Sequence, residues 1–426
     1  TLQIGDGGTG GSLVSNINNG GALIFNRSDN VTYGGEITGN GTFSQIGSGT
    51  LTLTYNNGTR APVTIGSGST LQLGNGGTTG WIGGSGKFVG SITNDGALIY
   101  NRSNDVTYAG AVSGNGTLTQ AGTGKLTLTG INTFTGATNI ASGDLIVNGS
   151  LAHSSLTTIQ RGARLGGTGT LGNTTVQAGG VHAPGNSIGT QTIAGNYTNN
   201  GVLQIEGTPT ATDKLIVSGS VDISGATLDL LLSPNTAASW NPVNGPFILI
   251  DKTSSGAITG TFASIVDNLV FLDPTVDYSG GDGNDLSLKL TRNDLSFAGV
   301  GQTRNQIATG VGVDRLGLTN PIFNAIAFSA SPEAARRAFD LLSGEVHSSF
   351  QSVLIEDSRF LRDAANDRLR SVLGTVAAKQ SSEITDAIDS GELALWSQGF
   401  GSWGRIDGDG NAAKADRSIG GFFVGA

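Results

Sequence analysis

From residue 1 to about 290 the chain runs in short alternating segments, each three to five residues long and broken by Gly or by an Asn-Gly pair. Leu51-Thr52-Leu53-Thr54, Leu71-Gln72-Leu73, Leu126-Thr127-Leu128-Thr129 and Leu145-Ile146-Val147 are representative. A period of two sets both leucines of Leu126-Thr127-Leu128 on one face and the threonine on the other, the pattern of a strand. Interior Gly costs a helix about 1 kcal/mol per position, so helix is excluded over this stretch. Near residue 300 the period changes. Phe339, Leu342, Val346, Phe350, Val353, Leu354, Leu361 and Leu369 recur at spacings close to three and four, an apolar stripe at helical period. Ser331-Pro332-Glu333 supplies its start, with an N-cap serine, proline at the first helical position and an acid in the first turn. The end reverts to strand: residues 393–403 alternate, and after an Asp407 to Asn411 turn residues 417–426 close with Gly420-Gly421-Phe422-Phe423-Val424.

The strand-forming part repeats itself. Gly21-Ala22-Leu23-Ile24-Phe25-Asn26-Arg27-Ser28 returns as Gly96-Ala97-Leu98-Ile99-Tyr100-Asn101-Arg102-Ser103, an offset of 75 residues. The offset persists from Val31-Thr32-Tyr33 against Val106-Thr107-Tyr108 to Leu51–Thr54 against Leu126–Thr129. Self-similarity at a fixed period marks stacked folds. The expected class is all-β, a right-handed parallel β-helix with three coils of about 25 residues per repeat and roughly 12 coils in all, neighbours about 4.8 Å apart. A β-sandwich array is the rival arrangement. A charged α-helical linker and two barrel-type strands would follow.

Composition narrows the function. With 70 Gly, 9 Pro and 13% charged residues, the chain fits neither collagen nor a solvated coil. A net charge of −9 gives no basis for nucleic-acid binding. Lack of Cys excludes disulfides, thiolate metal sites and cysteine nucleophiles. Lack of Met leads us to expect an internal piece of a longer precursor. No apolar run reaches the roughly 20 residues of a membrane-spanning helix. The charge that is scarce early gathers late: residues 331–370 hold thirteen charged side chains, against ten in the first 130 residues.

Three motifs invite chemistry. Gly185-Asn186-Ser187-Ile188-Gly189 fits the serine-hydrolase elbow, and His182 is near in sequence, but no helix start follows Ser187 as that chemistry requires. A corner turn is expected instead. Gly280-Gly281-Asp282-Gly283-Asn284-Asp285 resembles one calcium nonapeptide; it has Ser287 where a large apolar residue belongs and stands without tandem copies, so a tight turn is expected. Asp407-Gly408-Asp409-Gly410-Asn411 begins like an EF-hand loop, but Ala412 and Ser418 stand where Gly and Glu are needed. No enzyme activity, metal or cofactor is expected.

At residues 122–147 the chain resembles a known family. Gly122-Thr-Gly-Lys-Leu-Thr-Leu-Thr-Gly-Ile-Asn-Thr-Phe-Thr-Gly, continuing to Gly143-Asp-Leu-Ile-Val147, is similar to the passenger-associated transport repeat of bacterial autotransporters, with a degenerate copy from Gly47 to Leu73. Gly180–Ser187, Gly195–Gly201 and Asp213–Gly219 resemble the end of such a passenger; Gly245–Ile250, Gly260–Phe262 and Leu286–Leu290 resemble the closing autochaperone module. Leu342–His347, Glu356–Phe360 and Trp396–Trp403 resemble the linker and first strand of the translocator barrel. The resemblance implies four parts: repeats over 1–200, autochaperone over 201–295, linker over 296–392 and truncated barrel over 393–426. It implies an autochaperone core of Leu228, Leu230, Trp240, Phe247, Leu249, Phe262 and Phe271. It implies a pore helix carrying Glu356, Asp357, Arg359, Arg362, Asp363 and Arg368, and barrel strands carrying Trp396, Phe400, Trp403, Phe422 and Phe423. As a bare helix the charged segment would be a solvated surface; before a barrel strand it would thread a polar lumen. The implied function is a self-translocated surface stalk or adhesin at the outer membrane of a Gram-negative bacterium. A hydrolase passenger and a calcium-dependent β-roll adhesin are the alternatives. The implied partners are the outer membrane through the complete barrel, periplasmic chaperones, the barrel-assembly machinery and a host or neighbouring cell surface.

Overall fold

A computed structural model describes residues 1–58, 62–83, 87–88, 90–208, 211–233, 246–372, 382–383, 396–408, 411 and 414–425. Trp240, residues 393–395 and part of the 407–411 turn fall outside these. The chain divides into two compact units, Thr1–Asn293 and Asp294–Ala426.

The first unit is a parallel β-solenoid with three faces. One face is a single ten-stranded sheet running from Val31–Tyr33 to Val221–Asp222. A second face begins as a six-stranded sheet and continues as a seven-stranded one; the third begins with two short pairs and becomes a ten-stranded sheet from Lys87–Phe88 onward. Val31 pairs with Leu51 and Leu51 with Leu71, so one turn advances 20 residues, not the expected 25. The difference arises in the third turn: Leu71 pairs with Leu98, because the glycine-rich segment from Gly74 to Gly80 bulges from the corner. The sequence repeat is therefore out of step with the coil. Leu23 lies in the six-stranded sheet while its repeat mate Leu98 lies in the ten-stranded face. Leu51 lies in that face while its mate Leu126 lies in the next. The 75-residue period spans three turns and a third of another.

Stacking converts the alternating pattern into columns of like side chains. Leu51, Leu71, Leu98 and Leu118 follow one another in register, each 1% exposed or less. Burying one such leucine contributes about 1.5–3 kcal/mol. Polar residues of the corners stitch turn to turn: the side-chain oxygens of Asn57 and Asn132 accept from the backbone N–H of Ile37 and Val112, each one turn away. Buried Gln45 donates to the Gly47 and Gly49 carbonyls at 3.0 and 2.9 Å, and its repeat mate Gln120 to those of Gly122 and Gly124 at 2.9 and 2.8 Å. Glycine is obligatory at these corners: a Cβ on Gly122 would lie 2.1 Å from the backbone of Arg102.

In the second face the parallel register ends near residue 250, whereas in the third it continues to Ser264–Asp267. Leu215 pairs with Ile250 in parallel, but Phe247 and Ile250 pair with Leu288 and Leu286 in antiparallel fashion. Strands Leu272–Gly280 and Asp285–Arg292 form a hairpin. The Gly280–Asp285 segment is thus a hairpin turn, as expected.

The second unit opens with a 3-10 turn at Phe297–Val300, then helices α1 (Arg304–Asp314), α2 (Pro321–Ala327), α3 (Pro332–Leu342) and α4 (Glu345–Val372). The expected single helical stretch is broken between α3 and α4, where Gly344 takes φ +71°. Ser331 caps α3 as expected, its Oγ accepting from Ala334 N–H at 3.1 Å. Strands Trp396–Ile406 and Ala415–Gly425 form an antiparallel hairpin.

Candidate functional site

His182 occupies a leucine position. In the third face the inward column reads Leu126, Leu145, Leu165, His182, Leu203, Leu228. The ring is fully buried, with Nε2 2.8 Å from Gln191 Oε1 and Nδ1 3.0 Å from the Tyr197 hydroxyl. The amide oxygen accepts only, so Nε2 carries the proton and Nδ1 accepts from Tyr197. Burial pushes the imidazole down to about 4, the nearby Arg164 charge adding to that and the Gln191 bond opposing it. Both ring nitrogens are committed inside the core, whereas Ser187 stands exposed on the corner. The elbow reading fails on geometry, and the corner turn is what the structure holds.

The same corner borders a groove of about 500 Å³ on the third face. Lys125, Asp144 and Arg164 lie in one outward column, consecutive turns apart. Lys125 pairs with Asp105 at 2.8 Å. Pro184, Ser187 and Glu206 complete the far wall. Asp213, 1% exposed, holds that wall by accepting from the N–H groups of Gly189 and Glu206, both at 2.8 Å. Burial pushes its carboxyl up to about 7 although both backbone donors oppose the shift.

The residues expected as an autochaperone core divide by position. Leu228, Leu230, Leu249 and Phe271 are fully buried, Phe262 is buried at the margin and Phe247 is half-buried. Leu228 and Leu230 belong to the parallel stack, while Leu249 lies where the antiparallel strand joins. Sequence reasoning missed Lys252. It is 2% exposed, and its ammonium donates to the carbonyls of Ser254, Ser255 and Gly256 at 2.7, 2.8 and 2.7 Å. Its own N–H donates to the Asp285 carboxylate at 2.8 Å, which gives the last acid of the nonapeptide-like turn a structural partner. The strand pattern around Lys252 carried no signal of this; only the loop that follows reveals it.

In the second unit, α4 lies against the hairpin. Phe360 stacks on Phe400 (5.2 Å) and Phe400 on Phe423 (4.9 Å), Arg368 sits over Trp396 (5.7 Å), and Asp357 pairs with Arg417 at 2.9 Å. Glu356 reaches Arg359 at 3.7 Å, and Arg362 donates to Ser358 at 3.0 Å, both along the helix itself. Asp363 is exposed. The hairpin's other face carries Trp403 and Phe422, 80% and 74% exposed. The apolar stripe of α4 is also open: Val346, Phe350, Leu361 and Leu369 are exposed, so helical period did not mean burial here.

Comparison with known proteins agrees with this architecture. Residues 43–73 and 118–147 match the model of the passenger-associated-transport-repeat family. The chain is 29% identical over 364 residues to an extracellular serine protease of Serratia marcescens, 74% of this chain and 33% of that protein. It is 26% identical over 286 residues to the autotransporter adhesin/invasin TibA of Escherichia coli O78:H11, covering 64% of this chain and 27% of that one. Against the adhesin BmaC autotransporter of Brucella suis biovar 1 the identity is 41% over 81 residues, 18% of this chain and 2% of the relative. The chain spans at most about a third of the length of these relatives. The chain thus carries two passenger-associated transport repeats wound onto a parallel solenoid and is similar over part of its length to autotransporter adhesins.

Proposed function

We propose that the chain serves as the surface-displayed stalk of an adhesin-type autotransporter and that residues 201–295 nucleate its folding. The change from parallel to antiparallel pairing at Leu286–Leu288 supports this most directly. A solenoid end left open exposes unpaired strand edges, and the antiparallel hairpin pairs with the last parallel strand of the second face and so covers that edge. The buried Leu249, Phe271 and Lys252 concentrate cohesion there. In this reading α4 occupies the lumen of the complete barrel, with Arg368 and Phe360 against the inner face of the first strands. The membrane, the barrel-assembly machinery, periplasmic chaperones and a host surface would be its partners. Leu249→Ala should cost about 2–5 kcal/mol and leave the displayed passenger protease-sensitive. Normal display of a protease-resistant variant would reduce the segment to ordinary stalk. Cysteines at Arg362 and Arg368 should resist a bulky external thiol reagent in whole cells; rapid labelling would put α4 outside the barrel.

A hydrolytic passenger is the second reading, favoured by the relatives named extracellular serine proteases. It predicts peptidase activity in the complete protein that survives Ser187→Ala, since Ser187 has no available base at His182.

A further inference from the structure

The Gly185–Gly189 corner performs no hydrolase chemistry, yet it is held with unusual care. Gly167 and Gly185 exchange two backbone hydrogen bonds at 2.9 and 2.8 Å. The Asn186 amide donates to Asn148 Oδ1 at 2.8 Å, tying the corner to a strand end two turns back. The Asp213 carboxylate fixes Gly189 and Glu206 from beneath. Among the described residues Ser187 alone, apart from glycines, has a positive φ, 138°. Such strain persists only where the surroundings over-determine it, and it gathers at ligand sites. Ile146 and Pro184, both buried, give the groove beside it an apolar strip.

We propose that this groove binds a short neutral oligosaccharide. Its volume of about 500 Å³ falls in the range of ordinary ligand sites and holds about two or three sugar rings. The apolar strip suits the C–H face of a ring. Around it stand the groups that pair with neighbouring hydroxyls: the carboxylates of Asp144 and Glu206, the amides of Asn148 and Asn186, and the guanidinium of Arg164. Charge selects against acidic sugars. Lys125 is already paired with Asp105, which leaves Arg164 facing two carboxylates and no surplus cation for a sulfate or uronate.

Binding of this kind would give the displayed stalk its adhesive contact, and it is measured on the purified full chain, apart from display, so that either can fail alone. Maltotriose, cellotriose and chitotriose serve as neutral probes in titration calorimetry, with a heparin tetrasaccharide as the acidic one. At least one neutral trisaccharide should bind saturably, and Glu206→Gln and Arg164→Ala should each weaken it about tenfold or more with an unchanged Tm. Ser187→Gly relieves the backbone strain, so it should raise Tm while weakening binding. Three results overturn the proposal: no saturable binding of any neutral probe up to about 10 mM, equal affinity in all variants, or preference for the heparin tetrasaccharide.

Discussion

Acid should loosen the solenoid at one identifiable place. His182 stands in a leucine column with its ring neutral and held down to about 4, against about 6.5 for a histidine in the unfolded chain. Between those values the unfolded chain binds a proton that the folded chain refuses, so stability falls as pH drops. At about 1.4 kcal/mol per pH unit, the loss from 6.5 to 4 amounts to roughly 3 kcal/mol. Above pH 6.5 the contribution is fully present. Protonating Nδ1 would also turn it from acceptor to donor against Tyr197, whose hydroxyl already receives a hydrogen bond from Asn199 at 2.9 Å. Asp213 works in the opposite sense, since its raised carboxyl stabilises the fold at low pH and loses that contribution as pH rises towards about 7. The difference between wild type and His182→Gln isolates the histidine. Urea unfolding of both, from pH 7 to pH 4, should show a gap that narrows by about 3 kcal/mol, and the ring resonances of His182 should stay neutral to below pH 5. A constant gap, or a ring that titrates near 6.5, would show that the column admits water and would refute the burial argument.

Further perturbations test other parts of the fold. Arg27 pairs with Asp29 at 2.7 Å, but its repeat mate Arg102, 6% exposed, finds only Asn104 at the matching position; Asn104→Asp should raise stability by roughly 1–2 kcal/mol in thermal unfolding. Gly122→Ala drives a Cβ into the Arg102 backbone and should cost about 3 kcal/mol, read as a lower urea midpoint, whereas Gly312→Ala, inside α1 and facing open space, should raise stability by about 0.5–1 kcal/mol. Lys252→Met strands three carbonyls and should cost about 2–3 kcal/mol, visible as faster amide exchange over 252–256. Arg417→Ala leaves Asp357 facing the hairpin alone and should cost about 1–2 kcal/mol, with increased solvent access to Trp396 measured by fluorescence quenching.

The strand alternation and the Gly-Asn corners were legible because each solenoid turn obeys a local rule: one face in, one face out, and a bend where backbone must approach backbone. The coil length was not. A repeat of 75 residues divides naturally by three, and only the pairing of Leu71 with Leu98 reveals a 20-residue turn with one bulged corner. The corner at Ser187 was recognisable as a turn, but its groove depends on Asp144, Arg164 and Glu206, brought together by stacking from three different turns. Lys252 was illegible for a similar reason, since its partners are carbonyls, which no side-chain pattern records. α1 escaped because its Gly-containing sequence has little amphipathic pattern, although Thr303 and Gln306 form a capping box that the sequence displays. On α4, period identified the helix correctly but not its environment, since helical spacing says which residues share a face and nothing of what covers it.

Because the repeat advances three turns and a third, copying it does not extend a stripe along the solenoid. It winds the motif around the axis like the thread of a screw. Leu23 and Leu98, matched in the repeat, point inward from neighbouring faces, and a third copy would move on to the remaining face before a fourth came back into line. A passenger lengthened by such duplications presents related corners in every direction around its girth. A partner arriving from any side would meet one, but a rigid bivalent partner would have to reach across about ten turns to engage two that look the same way.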